Sequence, residues 1–179
     1  MVITTSKSEA ATRQLDVAIE LLFSHRDPLA ARTLAAAAFG VLSDLVEAGR
    51  PGDSWRENLI ADSGLPRHQA LEVLRGASNF LKHADRDPHG SLSFDDEEND
   101  HLIFFATIDC GELGVRLSYS LQAFQIWYLA CYPELLRGRG PALKSGAALP
   151  GMANLTRPQR LRTGVEFLAE VQLRYLDAA

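Results

Sequence analysis

The sequence predicts an all-α protein, a single-domain bundle of six or seven helices that takes in residues 1–179. Two observations support this fold class. Apolar residues recur at spacings of three and four along much of the chain, as they do on one face of a helix. The continuous apolar run at residues 102–108 follows acidic residues and has no turn and second strand after it, so we interpret it as a buried helix.

Proline and glycine set the limits of the first two predicted helices. The first begins at Ser8 or Thr12 and stops near Asp27, because a residue that precedes proline disfavours helical geometry. Pro28 suits the first turn of the second helix, which continues to the glycine and proline residues at 49–52. This second helix contains four consecutive alanines, whose small side chains would let a neighbouring helix approach closely.

A third, short helix is predicted by its cap. Ser54 and Glu57 have the spacing of a capping box, in which a hydroxyl is followed three residues later by a carboxylate, and this helix ends by Gly64. Beyond the central helix described below, residues 91–94 alternate between polar and apolar and could form a short extended piece.

The last third of the chain is divided by a long loop. Apolar residues at helical spacing predict a helix over residues 117–128 that ends at Pro133. The Gly- and Pro-rich segment from Arg137 to Asn154 is predicted to be a loop, and loops of this length are usually functional lids or mobile. Thr156 then precedes a last helix.

Composition favours an ordinary globular domain. Hydrophobic residues make up 46% and charged residues 23% of the 179, and the formal net charge is −5. An acidic balance argues against broad, sequence-independent binding to nucleic acid, which needs a large cationic surface. Cys110 and Cys131 are too few for a disulfide framework and have no zinc-type spacing, so a reducing compartment is expected.

The expected location is the cytoplasm. The first residues lack the apolar region of about 7 to 15 residues that a signal peptide needs. The longest apolar runs, at residues 34–42 and 102–108, are too short to span a bilayer, so no membrane association is expected.

The central helix, from about Pro66 to Ala84 or Asp85, carries the most suggestive chemistry. At about 100° per residue, its apolar side chains fall within an arc of about 120° that is predicted to face the core, namely Val73, Leu74, Ala77, Phe80, Leu81 and Ala84. Cationic and amide side chains cluster on the opposite side, with an imidazole on the flank: Arg75, Asn79, Lys82 and Arg86, with His83 at the edge. This polar row could equally be an ordinary solvated face.

A family resemblance rests on part of this helix. Residues Asn79 and His83, separated by Phe80-Leu81-Lys82, resemble the latter part of a motif of HEPN helical domains, in which Arg and a polar residue precede three residues and His. Ser78 stands in the place of the Arg. The resemblance implies the arrangement of the ribonuclease members of the family, in which Arg and His meet across a dimer interface and act on the scissile phosphate.

The segment Asn79–Pro88 also resembles a group of small bacterial proteins that share Asn-Phe-x-Lys-His-Ala-Asp-Arg-Asp-Pro, a likeness that implies no activity.

The sequence thus leaves three functional hypotheses open. The favoured one is a non-enzymatic binding or regulatory module that presents Arg75, Asn79, Lys82, His83 and Arg86 to an anionic, phosphate-bearing small molecule or partner such as RNA. A metal-independent ribonuclease would use His83 as general base with an Arg as phosphate ligand, and the departure at Ser78 favours the first hypothesis. The third is an interaction domain whose polar residues are purely structural.

A metal ion is an alternative ligand at this segment. His83, Asp85, Asp87 and His89 could ligate zinc, manganese or iron, although C-capping and an Asx turn account equally for these residues. Otherwise no metal and no cofactor is expected.

Two segments resemble nucleic-acid or nucleotide motifs without matching them. Residues 59–69 look like a helix-turn-helix, but Leu71 and Glu72 occupy positions where base-reading side chains are wanted, which argues against DNA. Residues 138–145 have the length of a phosphate loop, but Leu143 replaces its second glycine and no strand precedes it. Arg137, Arg139 and Lys144 could still contact an anion.

A homodimer is expected from the aromatic helix at residues 124–128. Its aromatic residues fall on more than one side of the helix, which suggests a second buried surface.

Overall fold

The computed structural model describes residues 2–83, 85, 87–136 and 148–177, with side chains described as far as residue 174. These residues form seven α-helices and no strand, which confirms the predicted all-α bundle. The helices are α1 (Lys7–Phe23), α2 (Pro28–Gly49), α3 (Trp55–Asp62), α4 (Arg67–Lys82), α5 (Glu98–Glu112), α6 (Tyr119–Cys131) and α7 (Arg157–Asp177). Short 3-10 turns cover Pro133–Leu136 and Met152–Asn154.

Helix α2 lies at the centre of the bundle. It packs along α1 on one side and against α5 on the other, and it also contacts α4. Small residues on its buried face, Ala31, Ala35 and Ala38, allow these close approaches, as the alanine run predicted. Helix α7 closes the far side against α6, where Gly164 lies so close to the Phe23 ring that a Cβ would collide with it.

Helix α2 is also the one helix, among the described residues, with the length and apolar composition of a membrane span. The apolar run at 34–42 was too short to predict a helix of membrane-spanning length, because the helix extends well beyond the run on both sides. Its buried Arg32 and Ser43 and its packing between α1 and α5 are those of a core helix.

Local capping explains where the first helices begin and end. Ser6 and Glu9 form a reciprocal capping box, so α1 begins at Lys7 rather than at Ser8 or Thr12. It ends at Phe23 and not near Asp27, because His25 takes a left-handed conformation (φ 50°) that closes the helix.

Helix α2 begins at Pro28 and ends at Gly49, as predicted. Ser54 caps α3 by accepting from the Glu57 N–H, but the box is not reciprocal, because the Glu57 carboxylate binds Arg67 instead. Residues 91–94 form no strand.

The run at 102–108 is helical, as predicted, and its centre lies in the core within α5. The helix predicted over 117–128 is α6, which begins at Tyr119 after its cap Ser118. Most of the long loop, residues 137–147, lies outside the described residues, and the predicted anion contacts of Arg137, Arg139 and Lys144 lie there with it.

The aromatic side chains of α6 belong to the core of the same chain. Phe124, Trp127 and Tyr128 are all buried, and Phe23 packs against the first two. The argument that these aromatics need a partner subunit is therefore wrong, because α1, α5 and α7 together enclose α6. The homodimer itself stays a prediction.

A buried carboxylate joins three helices near the α2 C-terminus. Asp109 on α5 accepts a hydrogen bond from the Ser43 hydroxyl of α2 at 2.6 Å and from the Trp55 N–H of α3 at 2.9 Å. Burial raises the pKa of Asp109, while these two donors oppose the rise. The side chain therefore fixes the start of α3 against the rest of the bundle.

A second buried carboxylate joins α5 to α7. Asp100, 1% exposed, accepts two hydrogen bonds from the Arg157 guanidinium, at 2.6 and 3.2 Å. The same guanidinium also donates to Asp96 at 3.1 Å. Burial raises the pKa of Asp100 to about 6, although Arg157 favours its charged form.

Candidate anion-binding cleft beside helix α4

Helix α4 faces the bundle with a different side from the one predicted. Its most deeply covered line consists of small and apolar residues: Ala70, Leu74, Ala77, Ser78 and Leu81. Val73 is 71% exposed and Phe80 38% exposed, so their placement in the core was wrong. The buried side is rotated by about 45° from the predicted one, and small residues rather than the largest apolar ones are the most deeply buried on it.

The end of α4 was also placed too late. The last helical residue is Lys82, and His83 caps it with an N–H bond to the Asn79 carbonyl. The prediction put the end at Ala84 or Asp85. Ala84 and Arg86 lie outside the described residues, so the structure does not place Arg86 relative to the rest of the predicted row.

The side chains of the remaining members of the row, on α4 and at its C-cap, have no polar partner in the described part of the chain. Arg75 and Lys82 are exposed, whereas Asn79 and His83 are half-buried. None of these four side chains makes a hydrogen bond or ion pair with another described residue, in contrast to Arg67 of the same helix, which binds Glu57. Ser78, in the place of the family Arg, is buried and donates to the Arg75 carbonyl at 3.0 Å.

A cleft between α4 on one side and α2 and α5 on the other contains two cavities. Leu74 of α4 and Leu102 of α5 line both of them and so form the wall between them. The smaller cavity, about 40 Å³, has room for a water-sized group. It is lined by residues of four helices: Ala36, Phe39, Gly40, Arg56, Leu74, Arg75, Ser78 and Leu102.

The smaller cavity is lined by a second arginine besides Arg75, namely Arg56. Arg56 of α3 is buried and donates to Asp44 at 2.6 Å, but its Nε has no hydrogen-bond partner among the described residues. Its Nε lies 3.5 Å from the Glu57 carboxylate. Sequence analysis missed Arg56, because nothing in its local pattern distinguishes it from a surface arginine.

The larger cavity, about 190 Å³, lies at the other side of Leu74. It combines a buried cation, an acid and an imidazole with an apolar wall: Arg32, Glu98 and His101 with Val73, Leu74, Leu102 and Phe105. Burial lowers the pKa of the Arg32 guanidinium, and the Glu98 carboxylate acts in the opposite direction. None of these three polar residues was predicted.

His101 is held by the aromatic cluster of α6. Its Nδ1 lies 2.7 Å from the Tyr128 hydroxyl, and its ring packs against the rings of Tyr128 and Tyr132. Burial lowers the pKa of His101, so the neutral ring is favoured at neutral pH.

The four candidate metal ligands do not come together. Asp85, Asp87 and His89 are exposed, and His83 is half-buried at the helix end. Nowhere in the described part of the chain do three His, Cys, Asp or Glu side chains converge as metal ligands would.

The two motif-like segments take ordinary structural roles where they are described. Residues 59–69 are the end of α3, a turn and the start of α4, with Gly64 at a positive φ of 66° in the turn. Leu71 is half-buried and Glu72 is exposed. Before Arg75 the basic side chains of this helix are His68 and Arg67, and Arg67 is paired with Glu57, so the start of α4 does not present a basic surface for reading DNA bases. Residues 138–145 lie outside the described part of the chain.

Comparison with models of known protein families, with curated proteins and with solved structures finds no match for this chain. The likeness of Asn79–His83 to HEPN domains therefore stays a prediction.

One signal in the sequence could have identified Arg32. In α2 the buried positions recur at the helical spacing that includes Ala35, Phe39 and Leu42, and Arg32 lies on that same face. A cation on the apolar stripe of a core helix is rarely left buried without a role. Glu98 and His101 gave no such signal, because an acidic helix start is common.

Proposed function

We propose that this protein is a non-enzymatic binding or regulatory module that takes an anionic, phosphate-bearing ligand or partner on α4. The observation that carries the proposal is that Arg75 lines a cavity together with the buried Arg56 and forms no ion pair with another described residue. Residues 73–83 include two cations, Arg75 and Lys82, and no acidic residue, in a chain whose net charge is −5. An anion bound at Arg75 and Lys82 would therefore meet donors without displacing a carboxylate.

The half-buried Asn79 and His83 complete the proposed surface. Asn79 lies one turn after Arg75 on the helix, and His83 directly follows the exposed Lys82 as the C-cap. The smaller cavity has room for one water-sized group, so a phosphate oxygen could enter it while the rest of the ligand lies outside. Phosphate suits this arrangement, because a guanidinium donates to two of its oxygens at once.

The test is binding of inorganic pyrophosphate and of a short single-stranded RNA, measured by isothermal titration calorimetry. We expect the double variant Arg75→Gln/Lys82→Gln to bind at least about tenfold more weakly than the wild type, because it loses two charge-assisted contacts. The matched control is Arg13→Gln/Arg162→Gln, which removes the same charge from exposed positions on α1 and α7. Equal weakening in both double variants would reduce the effect to net charge and contradict the proposal.

The ribonuclease hypothesis is separated by the same RNA. If the wild type cleaves it and His83→Ala does not, the module is an enzyme and the non-enzymatic proposal is wrong. We expect no cleavage, because Ser78, which is buried and donates to the Arg75 carbonyl, stands where the ribonuclease motif has its Arg.

We further propose that the protein is a HEPN-like bacterial protein that acts in the cytoplasm as a homodimer. Two exposed apolar side chains one above the other on α4, Val73 and Phe80, support a contact between copies through the side of α4 opposite to Arg75 and Lys82. Light scattering at micromolar concentration should give twice the chain mass of 19.6 kDa. A single monomeric mass would contradict the dimer.

A further inference from the structure

The larger cavity of the cleft contains a buried arginine that makes no hydrogen bond with any described residue. Arg32 is 4% exposed, and its Nε is buried with no hydrogen-bond partner in the described part of the chain. Its nearest acid is Glu98, with Nη1 and Oε2 3.4 Å apart, and the Phe94 ring lies 5.9 Å from the guanidinium carbon. A guanidinium removed from water normally receives several hydrogen bonds in return.

Other enclosed arginines of this chain show the usual arrangement. Arg157 donates to two carboxylates at distances from 2.6 to 3.2 Å. Arg56 donates to Asp44 at 2.6 Å, although its Nε also has no partner among the described residues. Arg32 is buried at least as deeply as either, yet it keeps its donor capacity beside an open cavity of about 190 Å³. The donors are thus free for a group that enters the cavity.

We infer that this cavity binds a small apolar carboxylate, whose carboxylate group takes the Arg32 guanidinium in place of Glu98 and whose body packs against Val73, Leu74 and Phe105. This site is separate from the phosphate surface proposed above and does not depend on it. The two share only the wall formed by Leu74 and Leu102.

The class of ligand follows from what already lies at the cavity. The group nearest to Arg32 is a carboxylate, that of Glu98, and it is held at a distance too long for a good hydrogen bond. Its side chain is 52% exposed, so it can turn into water when another carboxylate arrives. A guanidinium binds a carboxylate through two parallel hydrogen bonds, which Glu98 does not make.

The size and the wall of the cavity specify the rest of the ligand. A dry protein cavity of about 150 Å³ holds benzene, so about 190 Å³ fits one ring or a short branched chain. Val73, Leu74, Leu102 and Phe105 are apolar and would cover such a body. A phosphate dianion fits less well, because one guanidinium beside an acid would have to balance two charges.

His101 also lines this cavity and can supply a second donor in one of its two neutral tautomers. When the Tyr128 hydroxyl donates to Nδ1, the neutral ring carries its proton on Nε2. That N–H can donate to a carboxylate oxygen, so a ligand would receive hydrogen bonds from both Arg32 and His101.

The experiment is calorimetric titration of the full chain with benzoate, hexanoate, benzyl alcohol and inorganic phosphate. We expect benzoate and hexanoate to bind, and benzyl alcohol and phosphate to bind at least about tenfold more weakly. Arg32→Met should weaken benzoate by at least about tenfold, and Glu98→Gln should strengthen it several-fold, because the competing carboxylate is gone. Arg50→Met is the control, since Arg50 pairs with Glu112 on the surface and should leave benzoate binding unchanged.

Two controls distinguish the loss of this site from misfolding and from a change at the separate phosphate surface. Because Arg32 makes no hydrogen bond with a described residue, Arg32→Met should keep or raise the melting temperature. Arg75→Gln/Lys82→Gln should bind benzoate like the wild type. Benzoate binding that survives Arg32→Met, tighter binding of phosphate than of benzoate, or no benzoate binding even by Glu98→Gln would overturn the inference.

Discussion

Arg157→Met is expected to lower the free energy of unfolding by about 3–5 kcal/mol, because it leaves the Asp100 carboxylate buried without its cation. The loss should depend on pH. The folded-state pKa of Asp100, about 6, lies above its unfolded value near 3.9, so the stability that this group contributes is present at low pH and is lost as pH rises through 6. Without Arg157 that pKa rises further, and the deficit should be larger at pH 8 than at pH 5.

Urea unfolding at both pH values measures this effect. The matched control is Asp100→Leu in the Arg157→Met background, which removes the stranded charge and should recover much of the loss. An equal deficit at pH 5 and pH 8, or no recovery in the double variant, would show that Arg157 acts through packing alone.

Asp109→Ala is expected to destabilise the fold by about 2–4 kcal/mol, because the Ser43 hydroxyl and the Trp55 N–H both lose their acceptor. The damage should concentrate at the start of α3. Hydrogen exchange should therefore show the Trp55 amide losing protection before the amides of α6 do.

The control for this position is Asp109→Asn, which preserves the shape of the side chain. Its carbonyl oxygen can still accept from the Trp55 N–H, and its amide can donate to the Ser43 hydroxyl, so a loss of about 1 kcal/mol or less is expected. If Asp109→Asn proves as destabilising as Asp109→Ala, the negative charge, and not the hydrogen bonding, holds the three helices together.

The helices were predictable because their signals act over one turn. Pro28 begins α2 and Ser54 caps α3, as predicted, since both residues act on the backbone within three or four residues of themselves. The predicted start of α1 was wrong by a few residues, because Ser6 and Glu9 form the stronger local cap. The run at 102–108 needed only the acidic residues before it to be identified as helix.

The orientation of α4 was not predictable from its own residues. Periodicity assigns residues to a common face, but it does not say whether large or small side chains meet the neighbouring helix. Here Ala70 and Ala77 are buried, and Val73 and Phe80 remain exposed. Of the predicted row, Arg75 lines the cleft, whereas Asn79, Lys82 and His83 do not line its two cavities.

Local chemistry alone therefore accounts for the all-α class and for most helix limits, since caps and breakers are satisfied within a single turn. The candidate sites follow from packing between residues far apart in the chain. Arg32 and Glu98 lie on different helices, and the packing of those helices holds Nη1 of Arg32 and Oε2 of Glu98 3.4 Å apart. The guanidinium therefore has no good hydrogen bond to this carboxylate. Hydrophobic burial brings α2, α4 and α5 together around the cavity. Because the hydrophobic effect has no preferred direction, it does not provide a hydrogen-bond partner for every polar group that becomes buried.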